Sequence, residues 1–216
     1  MKLALYSYFR SSAAYRVRIA LNLKGLAYDL IPVSLVRDGG EQLGAAYRAV
    51  NPAALVPSLA ADGAILTQSL AIIEFLDEQF PEPPLMPKAA LDRAWVRSIA
   101  LGIACEIHPL NNLRVLRYLE HELELAAAAR TQWYRHWVMA GLQAIETQLA
   151  GRSQRGGFCV GDHPTIADCC LVPQLFNARR FGCRLDSLTR LLRIESHCLA
   201  LEAFQQAAPA AQPDAS

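Results

Sequence analysis

The chain has 216 residues, 53% of them hydrophobic and 19% charged, with a formal net charge of +1. That length and apolar content suffice for one large domain or two small ones, and the near-neutral balance excludes a global pull toward nucleic acid or anionic lipid, so any anion site must come from local geometry. No apolar run approaches the roughly 18 residues of a membrane span and the stretch before Phe9-Arg10 is too short for a signal-peptide core, so a cytoplasmic protein is expected.

In chain order, Lys2 to Tyr6 reads as a buried strand. Ser11-Ser12 then precede an apolar-rich helix (Val17, Ile19, Ala20, Leu21, Leu23) that stops at Gly25. The hydroxyls suit the N-cap and the glycine suits the position after the C-cap. Tyr28 to Val33 is a second strand, and strand-helix-strand in this order favours a parallel unit. Residues 41–49 suit a short helix. Ser58 to Ala61 and Ala64 to Leu66 flank Asp62-Gly63, the strongest hairpin signal in the chain. Ser69 to Gln79 is then a clear helix. The predicted order is βαβαββα within about eighty residues.

Four prolines, Pro81, Pro83, Pro84 and Pro87, make residues 81–88 read as a stiff linker. Beyond it only helices are expected, over 89–120, 131–150, 165–180 and 188–206. The fold class is therefore α/β plus all-α: a domain over 1–80 and a helical domain over 89–216, with a low-complexity tail from Ala207. Thr165-Ile166-Ala167-Asp168 opens its helix as a capping-box variant and is assigned to folding. Trp95, Trp133 and Trp137 are expected in the core or an interface, and the stripe Leu116, Leu119, Leu123 in the core.

Two segments carry ligand chemistry. In Asn51-Pro52-Ala53-Ala54-Leu55-Val56-Pro57-Ser58-Leu59, the N–H and C=O of Val56 cannot both serve a regular ladder so close to a proline. After Gln68, the helix opening at Ser69 offers unpaired N–H groups to a carboxylate. Together they suit a peptide-like anion. The first helix offers a third site, because its opening and the hydroxyls of Ser11 and Ser12 can stabilise a thiolate. A free thiol titrates near about 8.5, and lowering it by about two units takes about 2.7 kcal/mol. A hydrogen bond to a charged group supplies roughly 1.5–3 kcal/mol and a helix end about 0.3–1 kcal/mol, so one serine and the helix end are enough. The six cysteines form no C-x-x-C pair and no zinc-spaced cluster. They read as reduced, mostly buried thiols, and no metal site is expected.

Ser11-Ser12-Ala13-Ala14-Tyr15-Arg16-Val17-Arg18-Ile19-Ala20-Leu21-Asn22-Leu23-Lys24-Gly25 closely resembles the serine-rich signature of zeta-class glutathione transferases, the maleylacetoacetate isomerases. The Asn51–Leu59 segment, Gln68-Ser69, Glu106-Ile107-His108-Pro109-Leu110-Asn111-Asn112, Gly161 to Asp168, and Asn177 to Phe181 match the same family, in order along almost the whole chain. The resemblance implies a thioredoxin-like, glutathione-binding first domain and a substrate-binding helical domain. It also implies a homodimer. Val56 would pair its backbone with the cysteinyl part of glutathione, with Pro57 in cis, and Gln68 and Ser69 would hold the γ-glutamyl end. His108 and Asn112 are further cofactor candidates. The family commonly reads Ser-Ser-Cys where this chain has Ser11-Ser12-Ala13, so the reaction here would depend on the thiol of glutathione itself, with Ser11 slightly preferred to Ser12 as its partner.

The implied substrate is a small dicarboxylate with a cis double bond, and arginine forks match carboxylates. Arg10, Arg114 and Arg180 are the candidates, with Asn111 beside them and Arg180 also in a catalytic role. The implied activity is glutathione-dependent cis–trans isomerisation of maleylacetoacetate. Maleylpyruvate isomerisation, general glutathione conjugation or dehalogenation, and a non-catalytic protein-binding module remain the alternatives.

Overall fold

The structure, a computed structural model, describes residues 1–151 and 156–215; Ser216, the end of the predicted tail, lies outside them. It divides into two compact units, Met1–Leu85 with the C-terminal segment from Leu199, and Met86–Cys198.

The first unit holds a four-stranded sheet of order β2-β1-β3-β4, made of β1 (Leu3–Ser7), β2 (Asp29–Pro32), β3 (Ser58–Ala61) and β4 (Ala64–Thr67). β2 runs parallel to β1, and β3 and β4 are antiparallel neighbours. The hairpin forms where Asp62-Gly63 predicts it, with positive φ at both residues (46° and 89°), as a two-residue turn of matching twist requires. Three helices interleave: α1 (Ser12–Leu23), α2 (Ala45–Val50) and α3 (Ser69–Gln79). A turn of 3-10 helix at Glu41–Leu43 occupies the first part of the predicted 41–49 helix.

α1 is capped by Ser11, whose Oγ accepts from the Ala14 N–H. It closes with Gly25 at φ 63°, where Gly25 N–H reaches Asn22 O and Leu26 N–H reaches Leu21 O, the paired pattern of a glycine-terminated helix. Val17, Ile19 and Leu21 on α1 and Ile72, Ile73 and Leu76 on α3 are fully buried. Each such side chain contributes about 1.5–3 kcal/mol.

Two boundaries differ from those the sequence predicts. The proline-rich stretch is tied to the first unit, because the buried Lys24 ammonium donates to Asp77 Oδ1, Phe80 O and Pro83 O, and Leu85 N–H donates to Asp77. The C-terminal segment also belongs to the first unit, not to a helical domain running on from residue 89. The predicted 188–206 helix breaks into α8 (Thr189–Leu199) and α9 (Glu202–Ala207). Asn22 Nδ2 and Arg18 Nε then bond the carbonyls of Ala203 and Ala207. No local pattern announces these long-range donors.

The second unit is helical: α4 (Ala90–Leu101), α5 (Leu113–His121), α6 (Ala127–Ala150), α7 (Ile166–Arg180) and most of α8. Val96, Ile99, Val138, Leu142, Leu171 and Leu175 form its core. The single helix predicted over 89–120 is interrupted. A π-helical stretch, Gly102–Ile107, follows α4, and a 3-10 turn, Pro109–Asn111, follows that. Pro109 has no N–H to give, and the register widens ahead of it, where His108 N–H bonds Ile103 O. Gly141 on α6 lets this stretch approach, since a Cβ there would meet Ile107 Cγ1 at 2.2 Å. α5 ends at His121, so Leu123, predicted in the core stripe, is 54% exposed while Leu119 is buried. The three tryptophans are half-buried and so fall short of the core.

The predicted capping box of α7 is present. The fully buried Asp168 carboxylate accepts from Thr165 N–H and Oγ1 and from Cys159 N–H. Burial pushes its titration up, and those hydrogen bonds oppose the shift. All six cysteines are free; Cys105 is exposed and Cys183 half-buried. Among the described residues no helix is long and apolar enough to cross a membrane.

Candidate active site

In the first unit the ladder register puts the candidate residues at one end of the sheet. Ser7 at the end of β1 pairs with Pro32 at the end of β2. Tyr6 pairs with Ser58 at the start of β3, and Ser58 with Thr67 at the end of β4. One step beyond these paired ends lie the loop to Ser11, the Val56-Pro57 bond and the Gln68–Ser69 helix opening.

Ser11 sits half-buried at the opening of α1, in an extended conformation outside the helix. Its oxygen accepts from Ala14 N–H, which leaves the hydroxyl proton free to donate to an incoming anion. Ser12 is inside the helix and only 4% exposed. The first turn carries no acid. A hydroxyl at the helix opening and a first turn without an acid together suit an anion.

Val56 is buried and the Val56-Pro57 peptide is cis. The N–H and C=O of Val56 have no hydrogen-bond partner among the described residues. Buried backbone groups are almost always paired, so an open donor and acceptor on one residue fit an extended peptide ligand. The neighbouring Leu55 carbonyl, by contrast, accepts from Tyr47 Oη at 2.8 Å and Asn51 Nδ2 at 2.7 Å. Asn51 Oδ1 also accepts from Ala53 N–H. Tyr47 and Asn51 thus fix the loop and leave Val56 open. Sequence reasoning assigned them no role, and the Asn51-Pro52 turn pair was the only local hint.

Gln68 adopts φ 68° and its side chain makes no capping bond; it is exposed. A positive φ in a residue other than glycine costs energy and concentrates at functional sites. Ser69, the first residue of α3, is buried, and its Oγ accepts from Arg16 Nη1 at 3.2 Å. Arg16 lies in the interior of α1 and is 1% exposed, so a fixed cation stands behind the Ser69 hydroxyl. The sequence signal for Arg16 is a charge inside an apolar-rich helix.

Arg10 is exposed, with its guanidinium 4.6 Å from the centroid of the Phe9 ring. Phe9 meets Tyr8 edge-on. These residues, with Pro32, Arg37 and Asp214, line a cavity of about 350 Å³. Pro57 contributes the cis bond.

In the second unit two of the candidates, Asn111 and Arg180, lie next to residues that contact the N-terminal part of α6. Trp133 donates its indole N–H to Leu110 O at 2.8 Å, which fixes the turn that carries Asn111. The next residue, Tyr134, stacks on Phe181 with ring centroids 3.6 Å apart. Arg180 lies over that same Phe181 ring at 5.2 Å. Burial pushes Tyr134 above the usual tyrosine range, and Arg180 acts in the opposite direction. Asn111 is buried, donates to Ile107 O, and has its Oδ1 buried without a partner. Asn112 caps α5 by accepting from Arg114 N–H, and its amide nitrogen lies 3.5 Å from His108 Nε2. Arg114 is exposed in the first turn of α5. Among the described residues no group of His, Cys, Asp or Glu is arranged to hold a metal ion.

Residues 5–84 match the family model for the glutathione S-transferase N-terminal domain, and residues 116–190 that for the C-terminal domain. The chain is 49% identical over 215 residues to a probable maleylacetoacetate isomerase of Vibrio cholerae, covering 100% of this chain and 99% of the relative. The holo structure of a maleylpyruvate isomerase, a bacterial zeta-class glutathione S-transferase, is 45% identical with a TM-score of 0.96, covering 99% of this chain and 100% of that one. A maleylacetoacetate isomerase of Methylobacterium extorquens AM1, solved with bound malonate and glutathione, is 39% identical with a TM-score of 0.94, covering 99% of each chain.

Proposed function

The chain belongs to the glutathione S-transferase family, and from that membership and the site described above we propose that it is a glutathione-dependent cis–trans isomerase acting on maleylacetoacetate. The observation that carries the reading is the row of open groups at one sheet end: the Ser11 hydroxyl, the unpaired N–H and C=O of Val56, and the α3 opening at Gln68-Ser69. From β1 across β3 to β4 is two inter-strand steps, roughly 10 Å, the span of a tripeptide at about 3.3–3.6 Å per residue. The residues therefore fit glutathione as cofactor.

When bound, glutathione would supply a thiolate nucleophile, whose reversible addition to a conjugated double bond permits rotation and leaves the cofactor unconsumed. The chain's own residues do the rest. Ser11 donates its hydroxyl proton toward the sulfur and α1 adds its positive end. Val56 holds the cysteinyl backbone through both its N–H and its C=O. Gln68 and Ser69 hold the γ-glutamyl carboxylate, with Arg16 behind them. Arg10 in the first unit, and Arg114 and Arg180 with Asn111 in the second, are each candidates for pairing with substrate carboxylates and for stabilising negative charge on the substrate. In the second unit His108 and Asn112 are the further cofactor candidates, and they rest on the family resemblance. A cytoplasmic homodimer is part of the same reading and rests on the family.

Maleylpyruvate is the second substrate reading, supported by the similarity to the zeta-class maleylpyruvate isomerase. The test is to incubate the protein with glutathione and maleylacetone and follow absorbance, then to compare rates on maleylacetoacetate and maleylpyruvate. Absence of any isomerisation removes the enzyme reading in favour of a binding module. Ser11→Ala should slow turnover at least about tenfold, roughly 1.4 kcal/mol. If neither it nor Ser12→Ala does so, the thiolate assignment falls.

A further inference from the structure

The loop between β1 and α1 delivers Arg10 and Ser11, and its backbone is held from the far end of the chain. Phe9 N–H donates to Asp214 Oδ2 at 3.0 Å. Phe9 C=O accepts from Arg18 Nη2 at 3.0 Å. The same guanidinium reaches Ser7 Oγ through Nη1 and Ala207 O through Nε. Arg18 is fully buried, and burial lowers its pKa to about 10, a shift that Asp214 partly opposes. The segment that supplies these partners is itself tied down. Gln212 Nε2 donates to Gln206 O and Ala208 O, and the hydroxyl of Tyr15 reaches Phe204 O.

We propose that the last residues of the chain form a strap in which Asp214 is a positioning residue, setting the Phe9 peptide and through it the substrate-gripping Arg10. Both polar groups of Phe9 are used, one by Asp214 and one by an arginine anchored on Ala207. Asp214 also lines the cavity that Arg10 enters. Its other oxygen, Oδ1, is buried with no partner. A carboxylate satisfied on one side only is a poor stabiliser of the fold. Its effect is to fix the direction of the loop.

This inference rests on the proposed substrate role of Arg10, and its test separates the two. Asp214→Ala removes the acceptor, whereas Asp214→Asn keeps a carbonyl oxygen at the same place. Amide hydrogen exchange at Phe9 and malonate affinity by calorimetry are measured on both, with kcat/KM where turnover is present. Asp214→Ala should lose protection at Phe9 and bind malonate about tenfold more weakly, while Asp214→Asn stays within about twofold of the parent on both. Asp214→Ala matching the parent in malonate affinity overturns the strap whatever Phe9 does, and so does Asp214→Asn failing as badly as the alanine. A chain ending at Pro213 carries the same test if Asp214→Ala does not fold. If the parent protein turns over no maleyl substrate, the isomerase reading fails, while exchange and malonate binding still decide the strap.

Discussion

Among the described residues the buried Lys, Arg, Asp and Glu side chains of the first unit are cations, Arg16, Arg18 and Lys24, whereas those of the second are acids, Asp168 and Glu195. The difference follows from what each architecture leaves unpaired. A short sheet joined by long connections leaves carbonyls at strand and loop ends, and the cations donate to them: Arg18 to Tyr8, Phe9 and Ala207, Lys24 to Phe80 and Pro83. A helical unit leaves N–H groups at each helix opening, and acids accept from them. Asp168 takes Thr165 and Cys159, and Glu146 takes Arg190 and Leu191 at the start of α8. Buried Glu195 departs from this, since it forms a two-pronged pair with Arg179. The lesson concerns function as well, because a unit stitched by buried cations is favourable ground for an anionic cofactor.

Two substitutions and one labelling experiment would break or sharpen this contrast. The largest effect is expected for Lys24→Met. It leaves Asp77 and two carbonyls without their ammonium, and breaking a buried pair costs about 3–5 kcal/mol; the midpoint of urea unfolding should fall accordingly. Asp168→Ala should cost less, about 1–3 kcal/mol. Two buried N–H groups lose their acceptor, but the desolvation that raises the Asp168 pKa is relieved at the same time. Equal losses in the two variants would argue against a difference between donor stitching and acceptor capping. The smallest effect is a pattern of thiol labelling. Cys105 is exposed and should react fast, and Cys183, pushed up by partial burial, more slowly. Burial pushes Cys159 and Cys198 far above the ordinary thiol range, so they should stay silent until unfolding. Early labelling beyond Cys105 and Cys183, followed by mass spectrometry, would mean that the second unit opens locally.

Much of the candidate site was legible because its signals are short in sequence. The Ser11 cap, the Val56-Pro57 dipeptide and the Gln68-Ser69 helix opening each depend on a few consecutive residues. Arg10 and Arg180 each lean on the phenylalanine next to them in sequence. Tyr47, Arg16, Arg18 and Asp214 were not legible as functional, because each acts through a partner that local pattern does not reveal. The interrupted helix before Asn111 is an intermediate case: Pro109 announces a break, but the widened turns lie ahead of it, where Gly141 on another helix makes room.

The sequence by itself determined the order βαβαββα, the hairpin at Asp62-Gly63, and the capped openings at Ser11 and Thr165. These follow from turn geometry, the period of apolar residues and the missing N–H of proline, all of which act within a few residues. Only the tertiary structure decided where the C-terminal segment goes and which carbonyls the buried cations satisfy. Phe9 and Asp214 stand 205 positions apart, and a hydrogen bond between them depends on the packing of everything that brings them together.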